Sequence, residues 1–265
     1  MEAGGALEAE QEEEQVMSEV HLGCPPRFPG LYLSRFTFSS RPEEKRRSCA
    51  CRAAWCHLFA SERRASGLVG LAQARVARRI FVTDRGTDIL DNCLANVRLN
   101  SSMLKFDEAK VLVRELDWKM SWPPPVGTHD ASDPSSIYFW SASEIKEAEQ
   151  ATLLFAADVI YSDDLTNLFF DTVRQLMSRG AKKVLYLTLE KRYNFSLDEL
   201  DVVANGYKHF RSFFAVQDGC GGQDNATLKP GLVGEQIDLA MVPQYIREYD
   251  RGKDLEMWKL MYCPN

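Results

Sequence analysis

Long hydrophobic runs are missing from this sequence, and no apolar segment approaches the roughly 20 residues that a membrane-spanning helix needs. The acidic N-terminus also lacks the positively charged start of a secretory signal peptide. The seven cysteines are an odd number, spread over a 265-residue chain that is large enough to bury its own core without disulfide bonds. We therefore expect an intracellular protein with reduced thiols and no membrane partner.

The chain also lacks an excess of positive charge, since its formal net charge is −6. That balance argues against nucleic acid as a direct ligand of the whole molecule. The sequence contains no Walker lysine loop, HExxH helix or GxSxG turn. These are the usual signatures of phosphoryl transfer, zinc proteolysis and serine hydrolysis, so the sequence gives no support to those activities. The ligand-type residues at Cys49, Cys51, Cys56 and His57 lack the second pair that a structural zinc site normally has, and we expect no metal.

The N-terminal part differs in composition from the rest. Residues 1–15 are rich in glutamate with almost nothing to bury, which predicts a disordered acidic tail. Residues 16–60 carry more apolar side chains and are expected to be partly ordered. Residues 41–79 are basic, which is typical of a solvated face or linker and, as the less common alternative, of a nucleic-acid or nuclear-import segment.

From residue 61 to the C-terminus, helical and strand-like patterns alternate, which predicts one α/β domain over residues 61–265. Helices are predicted at 68–76, 87–99, 143–150, 163–177 and 197–213, strands at 79–84, 110–116, 152–158 and 183–189, and a C-terminal edge hairpin at 236–241 and 255–262. This order is typical of a doubly wound, mostly parallel sheet with an antiparallel hairpin at its end.

Three of the predicted strands end in acids: Asp84, Asp117 and Asp158. A carboxylate that closes the second strand of a nucleotide-binding fold can accept both hydroxyl groups of a ribose, so Asp84 is the first candidate for that role. The alternative for Asp84 is an ordinary surface acid. Trp118 offers a flat face to a purine, although a tryptophan at a strand end is more often part of the core. Asp158 with Tyr161 would stand at the rim of a site, or would merely cap and pack the strand end.

Three stretches together resemble one known family. They are LFAADVIYSDDLT at 154–166, EKRYNF at 190–195 and YKHFRS at 207–212. The combination is similar to the seven-strand protein-lysine methyltransferases, and the resemblance extends from about Gly67 to the C-terminus. A short stretch at 18–22 also resembles the start of a family member.

The resemblance implies transfer of a methyl group from S-adenosylmethionine to the ε-amine of a lysine in a protein substrate. It implies that Gly67 and Asp84 contact the cofactor, with Asp84 at the ribose, and that Asp117 and Trp118 lie beside the adenine. From the same resemblance we expect a monomeric protein that is located in the nucleus, with the cytoplasm as a further location.

For the other end of the site, the resemblance implies that Ala157 lies near the methionine part of the cofactor. Asp158 and Tyr161 match the acid-x-x-aromatic motif that lines the substrate channel, and they are the candidate catalytic residues. The displacement needs a neutral amine, so most of the catalysis would come from positioning the lysine.

The chain departs from the family pattern before the first helix. A strand that ends in an acid-x-Gly-x-Gly-x-Gly loop should precede that helix, but residues 61–67 read SERRASG and keep only Gly67. The first strand is apparently missing, with residues 53–59 as a weak substitute. Three interpretations follow: an active methyltransferase with an unusual loop, a catalytically inactive protein-binding isoform, and a nucleic-acid-binding protein acting through residues 41–79.

Overall fold

Helices and strands alternate along the chain and build a doubly wound α/β domain, as the sequence predicts. The computed structural model describes residues 54–58, 68–74, 77–104, 110–128, 132–196, 200–216, 231–244 and 251–264, all within the compact unit Leu31–Asn265. The strands are β1 Ala54–Leu58, β2 Arg79–Asp84, β3 Val111–Glu115, β4 Leu153–Ala157, β5 Val184–Glu190, β6 Asn194–Ser196, β7 Asp201–Val203, β8 Phe214–Val216, β9 Gly231–Ile237 and β10 Leu255–Cys263. The helices are α1 Leu68–Gln73, α2 Thr87–Leu104, α3 Ala142–Glu149, α4 Asp163–Met177 and α5 Asn205–Arg211, with short 3₁₀ helices at Pro134–Tyr138 and Leu239–Met241.

The described strands form an eight-stranded sheet in the order β3-β2-β1-β4-β5-β10-β9-β8. Strands β1 to β5 pair with one another in parallel, whereas β10 is antiparallel to both β5 and β9. The predicted antiparallel pairing at the C-terminus is present between β9 and β10, and β10 agrees with the predicted 255–262. The first strand was predicted at 236–241 but lies at Gly231–Ile237, and Leu239–Met241 is a 3₁₀ helix. The pair of β9 and β10 does not form the edge of the sheet, because the three-residue strand β8 pairs with the outer side of β9.

A strand occupies the centre of the sheet where the sequence led us to expect a missing one. Strand β1 pairs in parallel with β2 on one side and with β4 on the other. It comes from the stretch 53–59 that was named as a weak substitute. It also lies on the N-terminal side of residue 61, so the sheet uses part of the segment predicted at 16–60.

Both faces of the sheet are covered, which is the property that makes the fold doubly wound. Residues Ile80 and Val82 of β2 point into one cluster with α1 and α2, while Phe81 between them points into a second cluster with α3, α4 and α5. This alternation follows from the two-residue period of a strand. It explains why residues 80–82 of β2 are apolar in succession rather than at every second position.

One predicted helix is wrong over residues 200–204. Residues 197–213 were expected to be helical, but Asp201–Val203 is strand β7, which pairs with β6, and the helix begins only at Asn205. The β-branched pair Val202 and Val203 favours extended backbone, and Leu200 adopts a left-handed φ of 50°, which cannot continue a right-handed helix. Among the described residues, no helix is long and apolar enough to cross a membrane.

Candidate functional site

The carboxyl ends of β2 and β4 lie on either side of β1. Thr83 pairs with Leu58 and Phe155 pairs with His57, so Asp84 and Ala157 both reach one residue beyond the end of β1. Strands are spaced about 4.8 Å apart, which puts these two strand ends about 10 Å from each other. The strand order reverses at β1, and ligands of open α/β sheets bind in the crevice at such a point.

Asp84, the proposed ribose acceptor, ends β2 and is only 3% exposed. Its Oδ1 accepts a hydrogen bond from the backbone N–H of Arg85 at 2.7 Å. Its carboxylate also acts on the neighbouring thiol of Cys93: burial, with the charge of Asp84 adding to it, raises the pKa of Cys93 to about 12. The side chain is therefore buried at the end of β2 rather than exposed as an ordinary surface acid.

Asp117 follows β3, whose end lies beside the end of β2 that carries Asp84. The N–H of Leu116 donates to the carbonyl oxygen of Asp84 at 2.8 Å, which joins the two ends directly. The guanidinium of Arg85 lies 3.8 Å from Asp117, and the Gly86 N–H donates to the Glu115 carboxylate at 3.3 Å. Gly86 has a φ of +90°, which favours glycine in the turn between β2 and α2.

Trp118 follows Asp117 but faces the core. It is 7% exposed, and its ring packs edge-on against Phe169 of α4 with 5.0 Å between the centroids. This placement favours the packing interpretation that the sequence left open over a stacking platform for adenine.

Asp158 stands at the end of β4 in a conformation that non-glycine residues rarely adopt. Its φ is +53°, and its N–H donates to the carbonyl oxygen of Thr188 on β5 at 2.9 Å. Asp and Asn tolerate the left-handed region better than most residues do. Such backbone strain clusters at functional sites, where the surrounding structure has to hold it.

The carboxylate of Asp158 binds the guanidinium of Arg192, which follows β5. One guanidinium nitrogen, Nη2, lies 2.8 Å from Oδ1 and 3.1 Å from Oδ2. The same guanidinium lies over the ring of Tyr161, 5.2 Å from its centroid. Asp158, Tyr161 and Arg192 thus form one cluster, which we call the acid–aromatic–arginine cluster.

Helix α4 begins directly after this cluster. Ser162 caps it, because its hydroxyl accepts a hydrogen bond from the N–H of Leu165 at 3.3 Å. Asp163 and Asp164 lie in the first turn, where negative charge favours the helix dipole. The cap fixes the path of the chain from Asp158 through Tyr161 into the helix.

The residues on both sides of Arg192 are held by the start of β10. The ammonium of Lys191 lies 2.6 Å from Glu256, and the hydroxyl of Tyr193 donates to Asp254 at 3.1 Å. The Lys191 N–H also donates to the carbonyl oxygen of Asp254 at 3.0 Å. The backbone that carries Arg192 is therefore fixed from both sides.

Glu256 is the centre of this support. It is 7% exposed and accepts hydrogen bonds from the hydroxyl of Tyr207 at 2.9 Å and from the indole N–H of Trp258 at 2.8 Å. Burial alone would raise the pKa of Glu256, but Lys191, Trp258 and Tyr207 together hold it below its usual value. The hydrogen bond to Glu256 raises the pKa of Lys191 in turn.

The structure brings together Asp84 with Asp117, and Asp158 with Tyr161, on the two sides of β1. Ala157 ends β4 directly before Asp158 and pairs with Thr188. Gly67 lies outside the described residues.

In the described part of the chain, no three His, Cys, Asp or Glu side chains form a group that could hold a metal ion. Cys49 and Cys51 lie outside that part.

Arg192 is the functional candidate that sequence reasoning missed. The stretch 190–195 supported the family resemblance, but Arg192 received no role. A signal was available: β4 and β5 are consecutive parallel strands, so a cation that follows β5 is expected near an acid that follows β4.

The sequence is similar to two curated proteins. It is 34% identical over 203 residues to methyltransferase-like protein 22 of Mus musculus and 36% identical over 202 residues to that of Homo sapiens. Each match covers 75% of this chain but only 48% and 46% of those proteins, so the chain spans about half the length of the relatives it matches. No protein-family profile matches the chain.

Solved structures resemble the chain only distantly. A protein described as a Zn-dependent alcohol dehydrogenase of Rhodobacter sphaeroides covers 80% of this chain and is matched over 85% of its own length, with a TM-score of 0.40 and 9% identity. An rRNA methylase of Streptococcus thermophilus gives a TM-score of 0.38 and 9% identity over 80% of this chain and 88% of its own.

Proposed function

The chain is a relative of methyltransferase-like protein 22, and on that premise we propose that it transfers a methyl group from S-adenosylmethionine to the ε-amine of a lysine in a protein. The single observation that carries the proposal is the placement of Asp84 and Ala157 at one level on either side of β1, with Asp158 as the next residue after Ala157. A cofactor bound across the central strand would lie between its ribose acceptor and the substrate channel.

The residues at the first end of this crevice fit the ribose of the cofactor. Asp84 and Asp117 are carboxylates at adjoining strand ends, and a carboxylate accepts two hydroxyl groups at once. Because Asp84 is 3% exposed, binding has to uncover it. The ring of Trp118 packs against Phe169, so the proposal rests on the acids rather than on this ring. The bound cofactor supplies an electrophilic methyl group.

At the other end, Asp158 and Tyr161 hold and orient the lysine nitrogen. The reaction needs the lone pair of a neutral amine in line with the methyl group, so the substrate must lose its proton before the nitrogen–carbon bond forms. The ring of Tyr161 offers its π-face to the lysine ammonium as it binds, the proton passes to solvent, and the carboxylate then orients the N–H of the neutral amine. Positioning by these two side chains is their contribution to catalysis.

The hairpin of β6 and β7 supports a protein as the substrate. Phe195 and Val202 are paired across the hairpin and lie on one face of it, where they are 61% and 58% exposed. Leu200 at its turn is 75% exposed. The hairpin begins two residues after Arg192, so an apolar surface adjoins the acid–aromatic–arginine cluster. Exposed apolar surface of this kind favours contact with another protein.

The departure at residues 61–67 favours a second candidate, a protein-binding relative without transferase activity. Arg63 and Arg64 stand where the family has glycines that let the backbone approach the cofactor. In this case the apolar hairpin would still bind a protein partner, but no methyl group would be transferred. We propose the enzyme as the first candidate because the central strand, whose absence would have removed the fold around the site, is present.

A transfer assay tests the proposal. The full chain is incubated with tritiated S-adenosylmethionine and an extract of cells grown with a methylation inhibitor, and labelled proteins are identified by the mass of methylated lysine. We expect label with the wild type, and a loss of at least tenfold with Asp158→Asn or Tyr161→Leu, as for other positioned groups. Asp171→Asn on α4 is the control and should keep full activity. Absence of label from a folded wild-type chain would favour the second candidate.

We propose further that the chain acts as a monomer in the nucleus, following the basic stretch 44–47 and the family. Imaging of the tagged chain with and without Lys45, Arg46 and Arg47 replaced by alanine checks the location. Loss of nuclear signal in the variant is the expected result, and an unchanged distribution would contradict it.

A further inference from the structure

We infer that the guanidinium of Arg192 occupies the subsite for the substrate's lysine nitrogen, so that a substrate has to displace this arginine in order to react. The inference rests on the proposed function, because it concerns the occupant of the same acid and aromatic pair. Arg192 is then a specificity-determining residue, because it competes with the substrate's lysine for Asp158 and Tyr161.

The contacts of Arg192 are those that a lysine ammonium would make. Its Nη2 lies within hydrogen-bond distance of both oxygens of Asp158, at 2.8 and 3.1 Å. Its guanidinium carbon lies 5.2 Å from the centroid of the Tyr161 ring, within the range of a cation–π contact. An incoming ammonium needs the same carboxylate and the same ring face, so the two cations exclude each other.

The contact is also weak enough to be displaced. The side chain of Arg192 is 42% exposed and that of Asp158 is 55% exposed, so water screens the pair. Exposed ion pairs of this kind contribute little to stability and exchange readily with solvent. Displacement therefore requires no unfolding, only a rotation of one side chain.

The backbone around Arg192 does not have to move. Lys191 is bound to Glu256, and Tyr193 to Asp254, on either side of it. These anchors keep the guanidinium close to Asp158 after each displacement, at a high local concentration. If Arg192 occupies the subsite for about nine tenths of the time, the apparent affinity for an external cation falls about tenfold.

This competition selects for protein substrates. A small cation has only the carboxylate and the ring to bind, and the arginine already holds both. A protein that also contacts Phe195 and Val202 of the adjoining hairpin gains apolar contact in addition, which offsets the competition. The same competition lowers the apparent affinity for free lysine and other small amines about tenfold.

A binding experiment without cofactor tests the inference. The probe is Nα-acetyl-L-lysine methylamide, which carries the ammonium and nothing else of a substrate, titrated into the full chain and followed by NMR shifts. The neutral norleucine analogue is the control ligand. Variant Arg192→Ala frees the proposed subsite, and the double variant Arg192→Ala with Asp158→Asn removes its carboxylate.

A matched control arginine is present on α4. Arg174 forms an exposed ion pair with Asp171 at 3.4 Å and lies over the ring of Phe213 at 5.3 Å, so it has the same combination of acid and aromatic partner away from the cluster. Variant Arg174→Ala therefore makes the same change of charge and frees the same kind of pair, so a gain in probe binding there as well would show that any exposed acid and ring bind the probe. Thermal unfolding of each variant shows that it is folded.

We expect Arg192→Ala to bind the lysine probe about tenfold more tightly than the wild type, and the double variant and Arg174→Ala to show no gain. Equal binding by wild type and Arg192→Ala, or a gain that survives Asp158→Asn, would overturn the inference. The outcome is independent of the cofactor. A chain that passes this test but binds no S-adenosylhomocysteine would keep the subsite and lose the proposed transferase activity.

Discussion

The carboxylate of Asp158 and the guanidinium of Arg192 join the carboxyl ends of two neighbouring parallel strands through contacts of 2.8 and 3.1 Å. The acid that forms this contact has a φ of +53°, so the chain accepts an unfavourable backbone conformation at that position. The combination of a strained acid, a cation and an aromatic ring at the switch point of the sheet distinguishes this strand end from the others.

The strain at Asp158 predicts a difference between two substitutions that remove the same ion pair. Asparagine tolerates the left-handed region, whereas alanine does not. The free energy of unfolding of Asp158→Ala should therefore be about 1 kcal/mol lower than that of Asp158→Asn. For a domain of this size that difference lowers Tm by about 2–4 °C. Differential scanning calorimetry of both variants measures it. Equal Tm values would mean that the backbone here is relaxed in solution.

The buried carboxylate of Glu256 predicts an acid-dependent part of the stability. Since its pKa is lower in the folded chain than its ordinary value of 4.5, its contribution is complete above that value and is lost as the pH falls through the folded pKa. Glu256→Gln should therefore lower the free energy of unfolding by about 1–3 kcal/mol at pH 7. The difference from the wild type should shrink as the pH falls below 4.5.

Urea unfolding at a series of pH values checks this prediction. Glu235→Gln is the control, because Glu235 forms an exposed pair with Lys259 at 2.9 Å and should contribute at most about 1 kcal/mol. A deficit in Glu256→Gln that stays constant down to pH 3 would show that packing rather than charge is responsible.

The exposed face of the β6–β7 hairpin predicts a loss of protein substrate binding without a loss of cofactor. Phe195→Ser with Val202→Ser should raise KM for a labelled protein substrate about tenfold or more and leave kcat nearly unchanged, because apolar contacts of this size act on binding. Met241→Ser, at another exposed apolar residue, is the control and should change neither constant. An unchanged KM in the hairpin variant would mean that the hairpin does not take part in substrate binding.

The parts of the fold that were predicted from the sequence are those with strong local patterns. The bounds of β2 and α4 agree with the structure residue for residue, because a short apolar run that ends in an acid and a capped amphipathic stripe both define their own limits. Strand β1, in contrast, was predicted only as a weak substitute for a missing strand. Its place in the sheet depends on pairing with β2 and β4, which a single sequence does not reveal.

The candidate site divides in the same way. Asp84, Asp117, Asp158 and Tyr161 follow predicted elements, so their strand-end or helix-start positions could be predicted from the sequence. Arg192 and the support by Glu256 could not be, since β10 reaches β5 from the far end of the chain. The orientation of Trp118 into the core was also undecided, because a tryptophan at a strand end suits both a core and a stacking role.

The central claim, that this chain binds the methyl donor through Asp84, is tested most directly by calorimetric titration of the full chain with S-adenosylhomocysteine. We predict binding in the micromolar range and a weakening of about ten- to a hundredfold in Asp84→Asn, because a charged acceptor of the ribose hydroxyls is lost. Asp88→Asn, at an exposed acid in the first turn of α2, should bind as the wild type does. No binding by a folded wild-type chain, or equal binding by Asp84→Asn, would contradict the account.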